Sequence, residues 1–188
     1  RKRIPALRMA FSSLPTTSVL GPILAAFQSL NCASSFRALH ESLINYGGNT
    51  KPEFLTCMHE ESAVAMAHGY FKIAGKPLLT LCHGTVGLQH AAMGVYNAWC
   101  DRAPVIVLGA TGPVDATRRR PWIEWIHTSR DQGGLVRDYT KWDDQPASLQ
   151  HFAESAVRAY KMMMAPASSL TPSSSRHSFT IASWSGLS

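Results

Sequence analysis

The chain has 188 residues, 45% of them apolar, and a net charge of +6 at neutral pH, which suits one α/β domain with a real core and includes no run of about 18 apolar residues that would span a membrane. Residues 1–40 hold Arg1, Lys2, Arg3, Arg8 and Arg37 and no acid, so five of the six net charges sit there and the remainder is almost neutral. A basic nucleic-acid binder needs such charges interleaved with aromatics on a folded face, and their absence there excludes that class.

Residues 1–35 are rich in Arg, Ser and Thr. They are expected to form an irregular segment, either upstream coding sequence or, by composition, a mitochondrial presequence. The cytoplasm is accordingly the first expectation for location and the mitochondrion the alternative. Residues 36–46, FRALHESLINY, place apolar side chains at 36, 39, 43 and 44 and end at Gly47-Gly48, which predicts an amphipathic helix. Phe54 to Met58 is an apolar run too short for a helix, so His59 and Glu60 fall where a strand hands over to a helix. From Glu60 onward Ala63, Val64, Ala67, Tyr70, Phe71 and Ala74 recur every three or four residues, and Gly75 followed by Pro77 stops the helix.

Pro77 to Cys82 predicts a second buried strand, closed by His83. Gly84 to Gly87 is a small-residue turn, and Leu88 to Cys100 a second helix with Ala91, Ala92, Val95, Tyr96 and Trp99 inward. Pro104 to Leu108 predicts a third strand, ending in the turn Gly109-Ala-Thr-Gly-Pro113. Strands alternating with helices of about a dozen residues imply βαβ crossovers, hence a three-layer α/β/α fold with a mainly parallel sheet. Ligands of open α/β sheets sit outside the carboxyl ends of the strands, so Glu60, His83 and the Gly109–Pro113 turn should share one edge and can converge on one ligand.

Asp115 to Arg120 reads as a polar loop whose Arg118-Arg119-Arg120 run is a solvated turn rather than an anion site. Pro121 opens Trp122-Ile-Glu-Trp-Ile126, and 132–144 reads as a short strand or turn ending in KWDD. Ser148 to Met164 is a last amphipathic helix with Phe152, Ala156, Ala159 and Tyr160 inward. Residues 167–188 are Ser-rich and almost uncharged, with one short apolar fragment at Phe179 to Ala182, and are expected to be a disordered tail. The domain proper is therefore expected over 36–166. Cys32, Cys57, Cys82 and Cys100 are scattered without a CxxC pair, the usage of a reducing compartment. A zinc site from Cys57, His59, Cys82 and His83 is disfavoured, because adjacent residues of a strand point to opposite faces.

The stretch HEESAVAMAHGYFKIAGKP resembles the hallmark of the pyrimidine-binding domain of thiamine-diphosphate-dependent enzymes: Glu60 opens the helix, Gly69-Tyr70 lies in it, and Gly75-Lys76-Pro77 ends it. CHGTVGLQHAAMGVYNAW is similar to the benzoylformate decarboxylase branch, with His83 at a strand end and Asn97-Ala98-Trp99 closing the next helix. It lacks the Ser-Gly-Pro-Gly turn usual in the acetolactate synthase branch. The resemblance runs over about 36–166, including LVRDYTKWDDQP. LNCASSF does not reproduce the family's first loop, and the Ser-rich tail stands where the family has Gly-Pro-Val and a closing strand.

The resemblance implies that Glu60 is the carboxyl that hydrogen-bonds the aminopyrimidine ring and promotes its imino tautomer, which needs a site dry enough to hold the proton in a short shared bond. It implies cofactor contacts at Glu60, Gly87, Gly109 and Thr111, small residues letting the backbone approach the ring. His83 would act on a 2-oxo acid substrate as general acid or base, or orient its carboxylate. Without the resemblance, Glu60 reads as a helix-opening acid favoured by the dipole, a role Glu61 could share, and His83 as a strand-end histidine bonded to a carbonyl. His59, His68 and His90 look peripheral. Magnesium is implied only through a diphosphate-binding domain that these residues do not contain. A homodimer or tetramer is implied for the complete enzyme, and these 188 residues are expected to be silent alone. The alternative is a non-enzymatic truncated remnant or dimerisation module; a flavodoxin-like nucleotide domain would need a Gly-rich phosphate loop after its first strand, and none is present.

Overall fold

The structure, a computed structural model, describes residues 26–29, 35–50, 53–164 and 180–185. Its strands are β1 (Ala26–Ser29), β2 (Phe54–Cys57), β3 (Leu79–Cys82), β4 (Ile106–Thr111), β5 (Trp142–Asp144) and β6 (Thr180–Ser185). They form one sheet in the order β2-β1-β3-β4-β6-β5, and every pairing is parallel. The helices are α1 (Arg37–Glu41), which runs on as a π-helical turn over Ser42–Tyr46, then α2 (Glu60–Ala74), α3 (Val86–Cys100), α4 (Glu124–His127) and α5 (Leu149–Met164).

An all-parallel sheet must be covered on both faces, and the alternation along the strands shows how. On β3 and β4 with their approaches, Leu78, Cys82, Val105 and Val107 join Ala63, Val64 and Ala67 of α2 and Leu88, Ala91, Val95 and Ala98 of α3 in one core. Leu81, Leu108 and Ala110 point the other way, into a second core with Phe36, Phe54 and Phe152 of α5, against which Leu39, Leu43 and Ile44 pack. The fold is thus three-layered, with α2 and α3 on one face and α1 and α5 on the other. Gly94 lets α2 and α3 approach closely: a Cβ there would lie 3.2 Å from Val64 Cβ and 3.3 Å from the Glu61 carbonyl oxygen.

The sheet differs from the sequence expectation at both ends. Residues 1–35 were expected to be irregular, yet β1 comes from them and lies inside the sheet between β2 and β3. Residues 167–188 were expected to be a disordered tail, yet β6 comes from them and fills the place between β4 and β5. Both segments pair with strands distant in sequence, so neither carries its own evidence of strand formation. The domain therefore reaches from 26 to 185 at least, beyond the expected 36–166. Within the helices, Tyr70, Ala74 and Tyr96 are exposed rather than inward, while Gly94, Ser155 and Met163 are buried. The third strand runs on to Thr111, so Gly109 and Thr111 belong to the strand and the turn begins at Gly112.

Candidate functional site

β1 connects through α1 to β2 on one side, while β3 lies on the other, so the strand order reverses between β1 and β3. At such a switch point the connections part company and leave a crevice beyond the carboxyl ends of the strands. Ser35 after β1, Glu60 after β2, His83 after β3 and Gly112 after β4 all lie along that edge.

Glu60 is the first residue of α2. His59 precedes it with extended backbone and caps the helix, its Nδ1 accepting from Glu61 N–H at 3.2 Å. That leaves the Glu60 side chain turned inward, 5% exposed, where a helix-opening acid serving only the dipole would face water. His83 is 8% exposed. The two meet at Gly87: a Cβ there would lie 2.7 Å from Glu60 Oε1 and 2.9 Å from His83 Cβ, so only glycine fits between them. Of the residues expected to act together, the structure brings Glu60, His83 and Gly87 together directly. Gly109, paired in register with Cys82, instead faces Gln132 and Leu88, and Thr111 is the half-buried last residue of β4.

His83 Nδ1 shares a hydrogen bond of 2.7 Å with Ser35 Oγ, which also accepts from Gly84 N–H at 3.4 Å. The His83 and His127 rings meet edge to face with centroids 4.8 Å apart. Burial pushes the His83 pKa below the ordinary histidine value, the neighbouring His127 pushes it the same way, and Glu60 opposes both. His90 of α3 lies with Nδ1 3.7 Å from Glu60 Oε2 and stacks on His59 at 4.8 Å. His59 and His90 therefore border the acid rather than standing apart from it. His68 does stand apart, bonded with Lys72 to Asp101.

Thr85 enters α3 with φ 47°, a conformation that β-branched residues avoid. Its hydroxyl donates to Oε1 of buried Gln132 at 3.3 Å, and Ser129 donates to the same oxygen at 2.8 Å. Gln132 Nε2 is the buried side-chain polar atom left without a hydrogen-bond partner among the described residues. Backbone strain and an unsatisfied donor beside a strand-end crevice are the marks of a functional site. Ser35, His127 and Gln132 had no local sequence signal; each reaches the crevice only because the chain returns to it. Among the described residues no group of three His, Cys, Asp or Glu is placed to hold a metal ion, and no helix is long and apolar enough to cross a membrane.

The arrangement offers one buried carboxyl, two contacting imidazoles, a hydroxyl and close backbone approach at Gly87. Among proteins of known activity, the chain is similar to benzoylformate decarboxylase of Pseudomonas aeruginosa, 23% identical over 113 residues that make up 60% of this chain and 21% of the relative. It is also similar to acetolactate synthase of Bacillus subtilis, 26% identical over 114 residues, 61% of this chain and 19% of the relative. The chain therefore spans about a fifth of the length of these relatives. The crystal structure of benzoylformate decarboxylase from Polynucleobacter necessarius superposes with a TM-score of 0.69 at 17% identity, over 96% of this chain and 30% of that one, and shares the fold. Residues 33–135, more than half of the sequence, match the family model described as thiamine pyrophosphate enzyme, N-terminal TPP binding domain, and the chain belongs to that family.

Proposed function

We propose that this domain binds the aminopyrimidine end of thiamine diphosphate and forms half of the active site of a 2-oxo acid decarboxylase or carboligase. The observation that carries the reading is the buried Glu60 carboxyl, set against Gly87 and beside His83 at the carboxyl edge of the sheet. In this reading Glu60 holds a proton toward the pyrimidine ring nitrogen and Gly87 borders the ring, while Gly109 and Thr111 lie farther along the same edge. Bound there, the cofactor supplies the electron sink for loss of carbon dioxide from a 2-oxo acid. His83, bonded to Ser35 through Nδ1, keeps Nε2 for the substrate, as a proton donor or as a hydrogen-bond donor to its carboxylate. Magnesium and the diphosphate belong to a complementary domain.

That complementary domain comes, in this reading, from a second subunit. The outer surface of the α2–α3 pair supports it: Met66, Tyr70 and Ile73 of α2 and Met93 and Tyr96 of α3 are exposed, Ile73 at 92%. Apolar groups concentrated on one surface of a helix pair mark an association face. The same face would serve a non-enzymatic dimerisation module, and the cofactor decides between the two.

The test is Glu60→Gln, which keeps the shape and removes the acid. In the enzyme assembled with its diphosphate-binding domain, aldehyde or acyloin formation from 2-oxo acids is expected to fall by a factor of about 100 or more, with thiamine diphosphate still bound. Wild-type turnover in that variant would refute the role of Glu60, and a wild-type assembly that neither binds the cofactor nor consumes any 2-oxo acid would refute the enzyme reading.

A further inference from the structure

His127 of α4 reaches the crevice edge described above over the turn that follows β3, while Glu124 of the same helix reaches it at Gly112. A Cβ on Gly84 would lie 3.0 Å from the His127 carbonyl oxygen and 3.5 Å from its Cβ, so glycine at 84 is what lets α4 settle there. Two features then fix how the imidazoles present themselves. His127 Nδ1 is 2.9 Å from the Ile123 carbonyl oxygen, which can only accept, so His127 carries a proton on Nδ1. Ser35 Oγ accepts from Gly84 N–H and can at the same time donate its own hydrogen to His83 Nδ1, the arrangement in which neutral His83 carries its proton on Nε2. The rings meet edge to face at 4.8 Å with an interplanar angle of 74°, too close for both to be charged at little cost.

We propose that His127 is a positioning residue for His83: the two imidazoles form a coupled pair whose edge-to-face contact disfavours charge on both at once, holding His83 neutral with its Nε2–H presented to the site. His127 is half-buried where His83 is buried, and its Nδ1–H is anchored on a carbonyl. The titratable group facing His83 from the opposite side is Glu60 of α2, which favours charge on His83 and so works against the pair; on α4 itself Glu124 is engaged by Arg120 at 3.0 Å. Burial and the His127 field act on His83 in one direction, and together they outweigh Glu60. A neutral histidine donating from Nε2 can bind a carboxylate without surrendering its proton to it, and can give that proton up later in a turnover. The proposal rests on the reading of His83 as a working group of the site.

The experiment is an NMR titration of the ring signals of His83 and His127 in the full 188-residue chain, for the wild type, His127→Phe, His127→Gln and His83→Phe. Phe keeps the edge-to-face packing and Gln keeps polarity, while each removes the charge. Both His127 variants are expected to raise the pH at which His83 titrates, by on the order of one unit. His83→Phe is expected to raise the His127 midpoint by a similar amount, because coupling between two sites is reciprocal. A His83 midpoint that stays put in a folded His127 variant overturns the proposal, as does a shift without its reciprocal. If no variant folds, the wild type still decides: two mutually distorted, two-step curves support the pair, and two independent single-site curves overturn it. None of these readouts needs the cofactor. Failure of the thiamine reading would show separately, as unchanged Glu60 and Gly87 signals on adding thiamine diphosphate to the assembled enzyme.

Discussion

At Gly87 a single missing Cβ determines whether Glu60 and His83 can share one space, since a methyl group there would sit 2.7 Å from the carboxyl. The same confinement makes His83 sensitive to pH. Its folded-state pKa lies below the ordinary value of about 6.5 because burial and His127 disfavour its charge. The folded chain therefore binds fewer protons here than the unfolded one. The stability tied to neutral His83 is fully present above the ordinary histidine pKa and is lost as pH falls through the folded value. The thermal midpoint is expected to drop between pH about 7 and 5, and to drop less in His83→Asn; equal slopes in the two proteins would show that His83 is not the cause. A second acid window lies well below. Arg137 and the Gly134 N–H hold the Asp131 carboxyl at about 2, so what that pair contributes is present above the ordinary carboxylate value and is lost as pH falls from there through about 2.

The α2 and α3 helices are set by patterns their own residues carry: His59 caps α2, Gly75 at φ 64° closes it, and small residues line the faces that meet. Gly94 determines the spacing between them. Gly94→Val forces two methyl groups toward Val64 and the Glu61 carbonyl, one turn from Glu60. Over-packing of this kind costs about 1–3 kcal/mol, less any gain from removing a helical glycine. Urea unfolding is expected to show the loss as a lower midpoint at unchanged slope; an unchanged midpoint would mean that the two helices are not held at this separation. The helix positions misread from periodicity, Tyr70 and Tyr96, are exposed at 36% and 44%. A 3.6-residue pattern identifies an apolar stripe but not where the core ends and an association face begins.

For the whole molecule, the sheet order places β1 between β2 and β3 with the crevice beside it, while the α2–α3 surface stays uncovered. If that surface is an association face, the wild-type chain should sediment as a concentration-dependent dimer, or join its complementary domain, and the double variant Ile73→Asp, Met93→Asp should remain monomeric. Both side chains are exposed, so the variant should retain its fold and its thermal midpoint. A wild-type chain that stays monomeric at high concentration and ignores the complementary domain would remove the face from consideration.

The sequence by itself determined the stretch from Phe54 to Leu108, the position of Glu60 at a strand-to-helix handover and of His83 at a strand end, because each of those signals is written within about 15 residues by periodicity, caps and breakers. It did not determine that Ala26–Ser29 and Thr180–Ser185 are strands of the sheet, the second running through a Ser-rich segment. A parallel strand is bonded to neighbours supplied by distant parts of the chain, so its formation is decided by the slot it fills more than by its own composition. Nor could it show that Ser35, His127 and Gln132 stand around His83 and the turn after it, or that His90 lies against Glu60. Only the tertiary structure decided those contacts, because a crevice at a topological switch point is assembled from the ends of strands far apart in sequence, and what each residue faces there depends on how the connections cross.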